Sequence, residues 1–167
     1  MAASHDRAFL INGPASLSFT NESCTPVSLH FIYDAYALAN ATVKPLVADG
    51  DTRWFFITAD YAGGISLETG MADAVRRAGG QVVGQVRHPF PNADFSSFLL
   101  MAKTSGAQVL ATANGGDDTI NAIKQAAEFG IGPASGQRTA VSNLYINGIL
   151  ALGLPTARGL VTSTPFY

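Results

Sequence analysis

The run from Trp54 to Gly64, WFFITADYAGG, constrains the fold more than any other part of the chain. Apolar and β-branched residues fill its first half without polar alternation, which is typical of a strand covered on both faces of a parallel sheet. The run ends in Asp60, Tyr61 and a glycine pair, and open α/β sheets bind ligands at the carboxyl ends of their strands. We therefore expect a buried strand that leads into a ligand-binding loop.

The same unit of strand and helix recurs along the rest of the chain. The further predicted strands are Gln81–His88, Gln108–Thr112, Thr139–Ser142 and Gly159–Thr162. The helices predicted after successive strands are Ser66–Ala78, Phe95–Ser105, Thr119–Phe129 and the short Tyr145–Leu152. This alternation predicts an α/β fold with a doubly wound, parallel, five-stranded sheet in the flavodoxin-like order 2-1-3-4-5.

The first third of the chain is less regular. Ala8–Asn12 is predicted as a short strand, and the Ser-, Thr-, Asn- and Pro-rich residues that follow it as a crossover. Thr25 and Pro26 have the pattern of a helix start, so we expect a helix from there to about Asp49. Pro45 should kink this helix or end it early, because its ring removes a backbone donor.

Composition and charge exclude several classes of protein. With 167 residues, 47% of them hydrophobic, the chain is long enough for one sizeable core. A formal net charge of −2 with scattered Lys and Arg argues against nucleic acid as a partner. The single cysteine, Cys24, permits no intrachain disulfide, and neither His30 nor His88 has a partner at metal-ligand spacing. No export signal or membrane span is expected from the amino terminus or from any apolar run.

Four longer segments carry a family resemblance. They are ITADYAGG from residue 57, RHPFPNADFSSFLL from 87, ATANGGDDTINAIKQAAEFGI from 111 and ALGLPTARGLVTSTPFY from 151. In this order they resemble the substrate-binding proteins of branched-chain-amino-acid-type ABC transporters, which are type I periplasmic binding proteins. The resemblance implies a solute bound between two lobes without catalysis or cofactor, an ABC permease as partner, and a periplasmic location. It also implies that residues 1–26 are a first-lobe strand and crossover, and residues 27–167 the second, ligand-binding lobe.

The resemblance further implies ligand contacts in the loops at the strand ends. Tyr61 matches an aromatic position that lines the cleft, while Asn114 and Gly115 lie in the next cleft-facing loop. Ser16 matches a first-lobe position where hydroxyl and backbone N–H groups hold a ligand carboxylate. Each has a plainer alternative, since Tyr61 is also a turn residue that could pack on its own helix and serine is common in turns. Asp117 or Asp118 is expected to cap the following helix rather than to bind the solute.

Ser142 and Asn143 occupy the third loop, where the chain departs from the family pattern. Relatives that hold α-amino acids tend to place a carboxylate near this position to pair with the ligand ammonium. Burying an ammonium without an anionic partner costs several kcal/mol. The departure therefore favours a neutral solute, or an anion such as a carboxylic or aromatic acid, over leucine.

The sequence lacks the residues that some other functions need, and it leaves one alternative function open. Dinucleotide, P-loop and nucleophile-elbow motifs are missing, which argues against an enzyme. A flavodoxin-like signalling domain would need a lysine after the fifth strand, and none follows it. A ligand-sensing module of a receptor or regulator built on the same lobes stays open. We also expect weak solute binding by a single lobe, and a homodimer held through the amino-terminal segment.

Overall fold

Two parallel sheets organise residues 2–164, the part of the chain that the computed structural model describes. The first sheet pairs β1 (Phe9–Ile11) with β2 (Ser28–His30). The strands of the second are β3 (Arg53–Ala59), β4 (Gln81–His88), β5 (Val109–Ala113), β6 (Arg138–Val141) and β7 (Val161–Thr162). The helices are α1 (Ala35–Ala48), α2 (Ala62–Arg77), α3 (Ser96–Thr104), α4 (Gly116–Glu128), α5 (Ile146–Leu152) and α6 (Leu154–Ala157).

The second sheet has the expected topology. Its order is β4-β3-β5-β6-β7, all pairs are parallel, and counting from β3 this is the order 2-1-3-4-5. Alternate residues of β3 serve opposite cores: Trp54 and Phe56 pack with α1 and α2, whereas Phe55 and Ile57 pack with α3 and α4. The uninterrupted apolar run of β3 therefore reflects helices on both faces of the sheet.

The start of α2 lies unusually close to the sheet. A Cβ atom at Gly64 would lie 2.2 Å from the carbonyl oxygen of Ala59 and 2.9 Å from that of Ala113. Only glycine leaves room for this approach. The helix begins at Ala62, four residues before the predicted Ser66, so the glycine pair expected in a turn forms its first turn instead. Tyr61 is thereby held at the junction of β3 and α2.

The helix predicted to start at Pro26 is wrong. Residues 28–30 form β2, which pairs in parallel with β1 from Phe9↔Ser28 onwards. Helix α1 begins only at Ala35, where the Asp34 carboxylate accepts a 2.7 Å hydrogen bond from the backbone N–H of Ala37. The Asp34 cap therefore sets the helix start, and pairing with β1 holds the residues before it in a strand. Together these outweigh the helix start that Thr25 and Pro26 suggest locally.

Pro45 does not end α1 early. It lies in the last turn, and the helix continues to Ala48. Its missing N–H removes one bond near the helix end, where few further residues depend on it.

Most other element bounds differ from expectation by only a few residues. Strand β4 has the predicted bounds, whereas α4 begins three residues before Thr119 and β7 is shorter than Gly159–Thr162. The short helix expected after β6 is α5. Residues 165–167, at the end of the segment assigned to the second lobe, lie outside the described residues.

Candidate functional site

Two neighbouring cavities open along the carboxyl edge of the five-stranded sheet. Cavity A, of 530 Å³, lies between residues 13–19 and the start of α2, and Ser16 and Tyr61 line it. Cavity B, of 230 Å³, lies between the starts of α4 and α5, and Asn114 and Gly115 line it. Asn143 lines both cavities. Five of the six sequence-predicted site residues thus lie along one cleft.

Tyr61 forms an aromatic wall at this edge. Its ring stacks on Phe90 with a centroid distance of 4.7 Å and an interplanar angle of 24°. Glycines make space for it, since a Cβ at Gly63 would lie 2.5 Å from the ring and one at Gly115 would lie 3.1 Å from the hydroxyl oxygen. Burial, and then the nearby charge of Asp118, raise the pKa of Tyr61, so the hydroxyl keeps its proton.

Asn114 is a buried polar residue at the end of β5, and the residue is only 5% exposed. Its Oδ1 lies 3.0 Å from Nε2 of His88, a histidine that is itself buried at the end of β4. Nδ1 of His88 lies 2.8 Å from the carbonyl oxygen of Pro89. Because a carbonyl oxygen only accepts, Nδ1 donates to Pro89, and Nε2 is left to contact the Asn114 amide from behind. The sequence analysis gave His88 no such role.

Asp118 does not cap α4, and Asp117 does not either. The N-cap is Gly115, without a side-chain hydrogen bond, because the helix begins earlier than predicted. Both carboxylate oxygens of the buried Asp118 accept the backbone N–H of Asn92, at 3.1 and 3.0 Å. One of them lies 3.8 Å from Nδ1 of His88.

Asn143 is held by a pair of tyrosines that the sequence analysis missed. Its Nδ2 donates to the hydroxyl of Tyr33 at 3.4 Å, and that hydroxyl is also hydrogen-bonded to the hydroxyl of Tyr145. Burial, and then the bond with Tyr145, raise the pKa of Tyr33 to about 12. The two tyrosines are 112 residues apart in the chain, so no sequence spacing connects them.

Ser142 and Ser16 differ in their positions. Ser142 is buried, its Oγ has no partner within residues 2–164, and it lines neither cavity. Ser16 lines cavity A and is also the N-cap of the short 3-10 helix Leu17–Thr20. There its Oγ accepts the N–H of Ser18 at 3.3 Å and is hydrogen-bonded to the Ser18 hydroxyl at 3.0 Å. Ser16 therefore combines the turn role with a cleft position.

Cavity A offers polar but uncharged partners. Among the described residues that line it, none is an acid, a base or a histidine. Its polar groups are hydroxyls, the Asn143 amide and the first-turn N–H groups of α2, which has no side-chain cap. Residues 2–164 contain no cluster of three or more His, Cys, Asp or Glu that could hold a metal ion. Nor does any helix within them have the length and apolarity needed to cross a membrane.

Comparison with known proteins identifies the class of this chain. The profile of the family described as periplasmic binding protein matches residues 1–167. A Leu/Ile/Val-binding protein homolog 6 of Brucella melitensis is 34% identical over 139 residues, covering 79% of this chain and 36% of its own length. The chain thus belongs to the periplasmic binding proteins, a family of solute-binding proteins rather than enzymes.

Two crystal structures share the fold and much of the sequence. A periplasmic binding protein from Burkholderia mallei superposes with a TM-score of 0.88 at 48% identity, covering 95% of this chain and 42% of its own. A branched-chain amino acid ABC transporter periplasmic ligand-binding protein from Burkholderia xenovorans LB400 gives a TM-score of 0.88 at 31% identity, covering 99% of this chain and 44% of its own. The chain therefore spans less than half the length of these relatives.

Proposed function

We propose that this chain forms one wall of the solute-binding cleft of an ABC-type uptake protein, and that its solute is a small carboxylate or other polar molecule without an α-ammonium. The observation that carries the proposal is cavity A. Ser16 and Tyr61 converge on it from distant parts of the chain, and no acidic side chain lines it among the described residues. A ligand ammonium enclosed there would lack a counter-charge.

The groups that do line cavity A suit a carboxylate with an apolar body. The Ser16 and Ser18 hydroxyls can donate to it, and so can the free N–H groups at the start of α2, whose dipole favours an anion. The exposed face of Tyr61 offers a flat apolar surface for the rest of the solute. The result is binding without bond making or breaking.

The wider context of the proposal comes from the family. The whole protein would enclose the solute between this lobe and a second one, deliver it to an ABC permease, and act in the periplasm. A single wall leaves half of the solute surface in water, so binding by this chain alone should be weak.

A matched pair of solutes tests the proposal. Leucine and 4-methylpentanoate differ only in the α-ammonium, and millimolar titrations into the ¹⁵N-labelled chain detect weak binding by NMR. We expect 4-methylpentanoate and benzoate, but not leucine, to shift the backbone signals of Ser16, Tyr61 and Gly63. The variant Ser16→Ala should weaken the response, whereas Ser97→Ala, at an exposed position in α3, should not. Binding of leucine at least as tight as that of 4-methylpentanoate, or no response to either carboxylate, would overturn the proposal.

A further inference from the structure

Asn-Gly dipeptides occur three times in the chain, and the fold brings all of them to the cleft. They are Asn12-Gly13, Asn114-Gly115 and Asn147-Gly148. The glycine of the first pair lines cavity A, and both residues of the other two pairs line cavity B. An asparagine before glycine loses its side-chain amide readily, because glycine has no Cβ to hinder attack of its backbone nitrogen on the amide carbon.

The surroundings of each pair decide whether this reaction takes place in the folded protein. The attacking glycine N–H has to lose its proton, and the backbone has to bring the nitrogen onto the side-chain carbon. A hydrogen bond from the N–H opposes the first step, and the fixed dihedral angles of a helix oppose the second. An exposed pair outside regular structure meets neither obstacle.

Asn114 is protected by its position between β5 and α4. The residue is buried, and its Oδ1 lies 3.0 Å from Nε2 of His88. Gly115 is the N-cap of α4, so rotation of the backbone between the two residues would disrupt the start of that helix. This pair should react slowly.

Asn147 is exposed but belongs to the first turn of α5. The N–H of Gly148 donates to the carbonyl oxygen of Tyr145 at 2.9 Å and to Oδ1 of Asn147 at 3.0 Å. A Cβ at Gly148 would lie 2.5 Å from a methyl carbon of Leu144, so the backbone is also closely packed here. These contacts oppose both steps of the reaction.

Asn12 has none of these protections. It follows β1, which ends at Ile11, and both Asn12 and Gly13 are exposed. Within residues 2–164 the Gly13 N–H makes no backbone hydrogen bond. A Cβ at Gly13 would meet no atom within 4 Å, so the space around the attacking nitrogen is open.

The chain is held again only beyond this pair. The carbonyl oxygen of Pro14 accepts from Nε2 of His30 at 3.0 Å, and that of Ala15 accepts from the N–H of Ala35 at 2.8 Å. The Asn12-Gly13 peptide therefore lies between two fixed points and is free to bend.

We propose that Asn12 is a site of spontaneous deamidation beside cavity A. The Gly13 nitrogen gives its proton to hydroxide and forms a bond to Cγ of Asn12. The Cγ–Nδ2 bond then breaks, and ammonia leaves with a proton from water, which restores the hydroxide. Water opens the resulting succinimide at either carbonyl group, giving aspartate or isoaspartate. No atom is oxidised or reduced, and the solvent supplies both reactants.

The modification would also alter the cleft. Both products place a carboxylate next to Gly13, beside a cavity whose described lining residues carry no charged side chain. Isoaspartate also lengthens the backbone ahead of Ser16. If cavity A holds a carboxylate, both changes weaken its binding, because like charges repel. This consequence rests on the proposed function, whereas the modification itself does not.

Incubation of the purified chain at mildly alkaline pH, followed by digestion and mass spectrometry, tests the site. We expect Asn12 to gain the mass of an amide-to-acid conversion, and a protein isoaspartate methyltransferase to label part of the product. Conversion at Asn12 should be about fivefold faster than at Asn147, the effect of one hydrogen bond on the attacking N–H. Asn114 should react most slowly. In urea the three rates should become similar, because the fold then protects none of the pairs.

Gly13→Ala is the matched variant. Its methyl group would occupy open space, so the fold should be kept while attack by the backbone nitrogen is hindered. Conversion at Asn12 should then fall severalfold and that at Asn147 stay unchanged. The effect on the cleft is measured with Asn12→Asp, which should bind 4-methylpentanoate more weakly than the neutral control Asn12→Gln.

Two results would overturn the site: conversion at Asn12 no faster than at Asn147 in the folded chain, or conversion at Asn12 that is unchanged in Gly13→Ala. Absence of conversion in the folded chain under conditions that convert the urea-unfolded chain would also do so. Equal binding of 4-methylpentanoate by Asn12→Asp and Asn12→Gln would overturn the effect on the cleft. Mass spectrometry needs no solute, so its result stands if the 4-methylpentanoate test of cavity A fails.

Discussion

Substitution of Gly64 by alanine should destabilise the protein and displace Tyr61. The added Cβ would lie 2.2 Å from the carbonyl oxygen of Ala59, where ordinary contacts begin at 3.4 Å. The start of α2 would therefore have to move by about 1.2 Å. Because the obstructing atoms belong to the backbone of β3 and β5, no side-chain rotation can relieve the overlap.

The expected magnitude follows from two opposing effects. Overpacking of a tight core costs about 1–3 kcal/mol, and backbone obstruction places Gly64→Ala at the upper end of that range. Replacing a helical glycine by alanine returns about 1 kcal/mol of helix propensity. The net loss is about 2 kcal/mol of unfolding free energy, which lowers Tm by roughly 4–8 °C in a chain of this size.

Gly70 supplies the matched control within the same helix. A Cβ there would meet its nearest neighbour, the carbonyl oxygen of Ala35, at an ordinary 3.5 Å. Gly70→Ala should therefore raise the unfolding free energy by about 0.5–1 kcal/mol. Urea unfolding of both variants gives the free energies, and near-ultraviolet circular dichroism reports the Tyr61–Phe90 stack. Equal free-energy changes for the two variants, or an unaltered aromatic signal in a destabilised Gly64→Ala, would refute the close-approach argument.

Three further predictions concern titration and assembly. The pKa of Tyr33 is about 12 in the fold and near 10 in the unfolded chain, so its contribution to the unfolding free energy should be full below pH 10 and fall between pH 10 and 12. Urea unfolding at high pH should therefore show a smaller fall in Tyr33→Phe than in the unaltered protein. An equal fall would contradict the raised pKa of Tyr33. Asp118→Asn should lower the pKa of Tyr61 in an ultraviolet titration, whereas the exposed neighbour change Asp117→Asn should alter it less. Light scattering should give a dimer for the intact chain and a monomer after deletion of residues 1–26, because β1 and β2 expose apolar side chains. A monomeric intact chain would exclude the dimer. A dimer that survives the deletion would exclude an interface through the amino-terminal segment.

The sheet could be predicted because the residue types in its strands indicate how deeply each strand is buried. The apolar run of β3 needs cover on both faces, and the seven-residue strand is buried from Trp54 to Ala59. Gln81–His88 is bounded by Gly79-Gly80 on one side and Pro89 on the other, and its bounds agree with the structure. Right-handed connections between parallel strands then leave few topologies to choose from.

The starts of α2 and α4 were harder to predict because neither helix has the side-chain cap on which such a prediction depends. Both α2 and α4 begin without a capping hydrogen bond, at Ala62 and Gly116. The close packing at Gly64 involves carbonyl groups of two strands, and local sequence does not reveal such contacts. The prediction of β2 failed for the same reason, since a strand whose partner lies about 20 residues away looks locally like a loop or a helix start.

Local sequence also limits what can be predicted about the candidate site. Strand order alone predicted that Tyr61, Asn114 and Asn143 lie along one edge of the sheet, because it needs only the position of each residue in the topology. It cannot say whether an asparagine presents its oxygen or its nitrogen, since that depends on what holds the other end of the amide. Here the holders are His88, 26 residues away, and Tyr33, 110 residues away. Location along the edge is thus a property of the strand order, whereas the hydrogen-bond partners of each side chain are set by contacts that only the folded chain assembles.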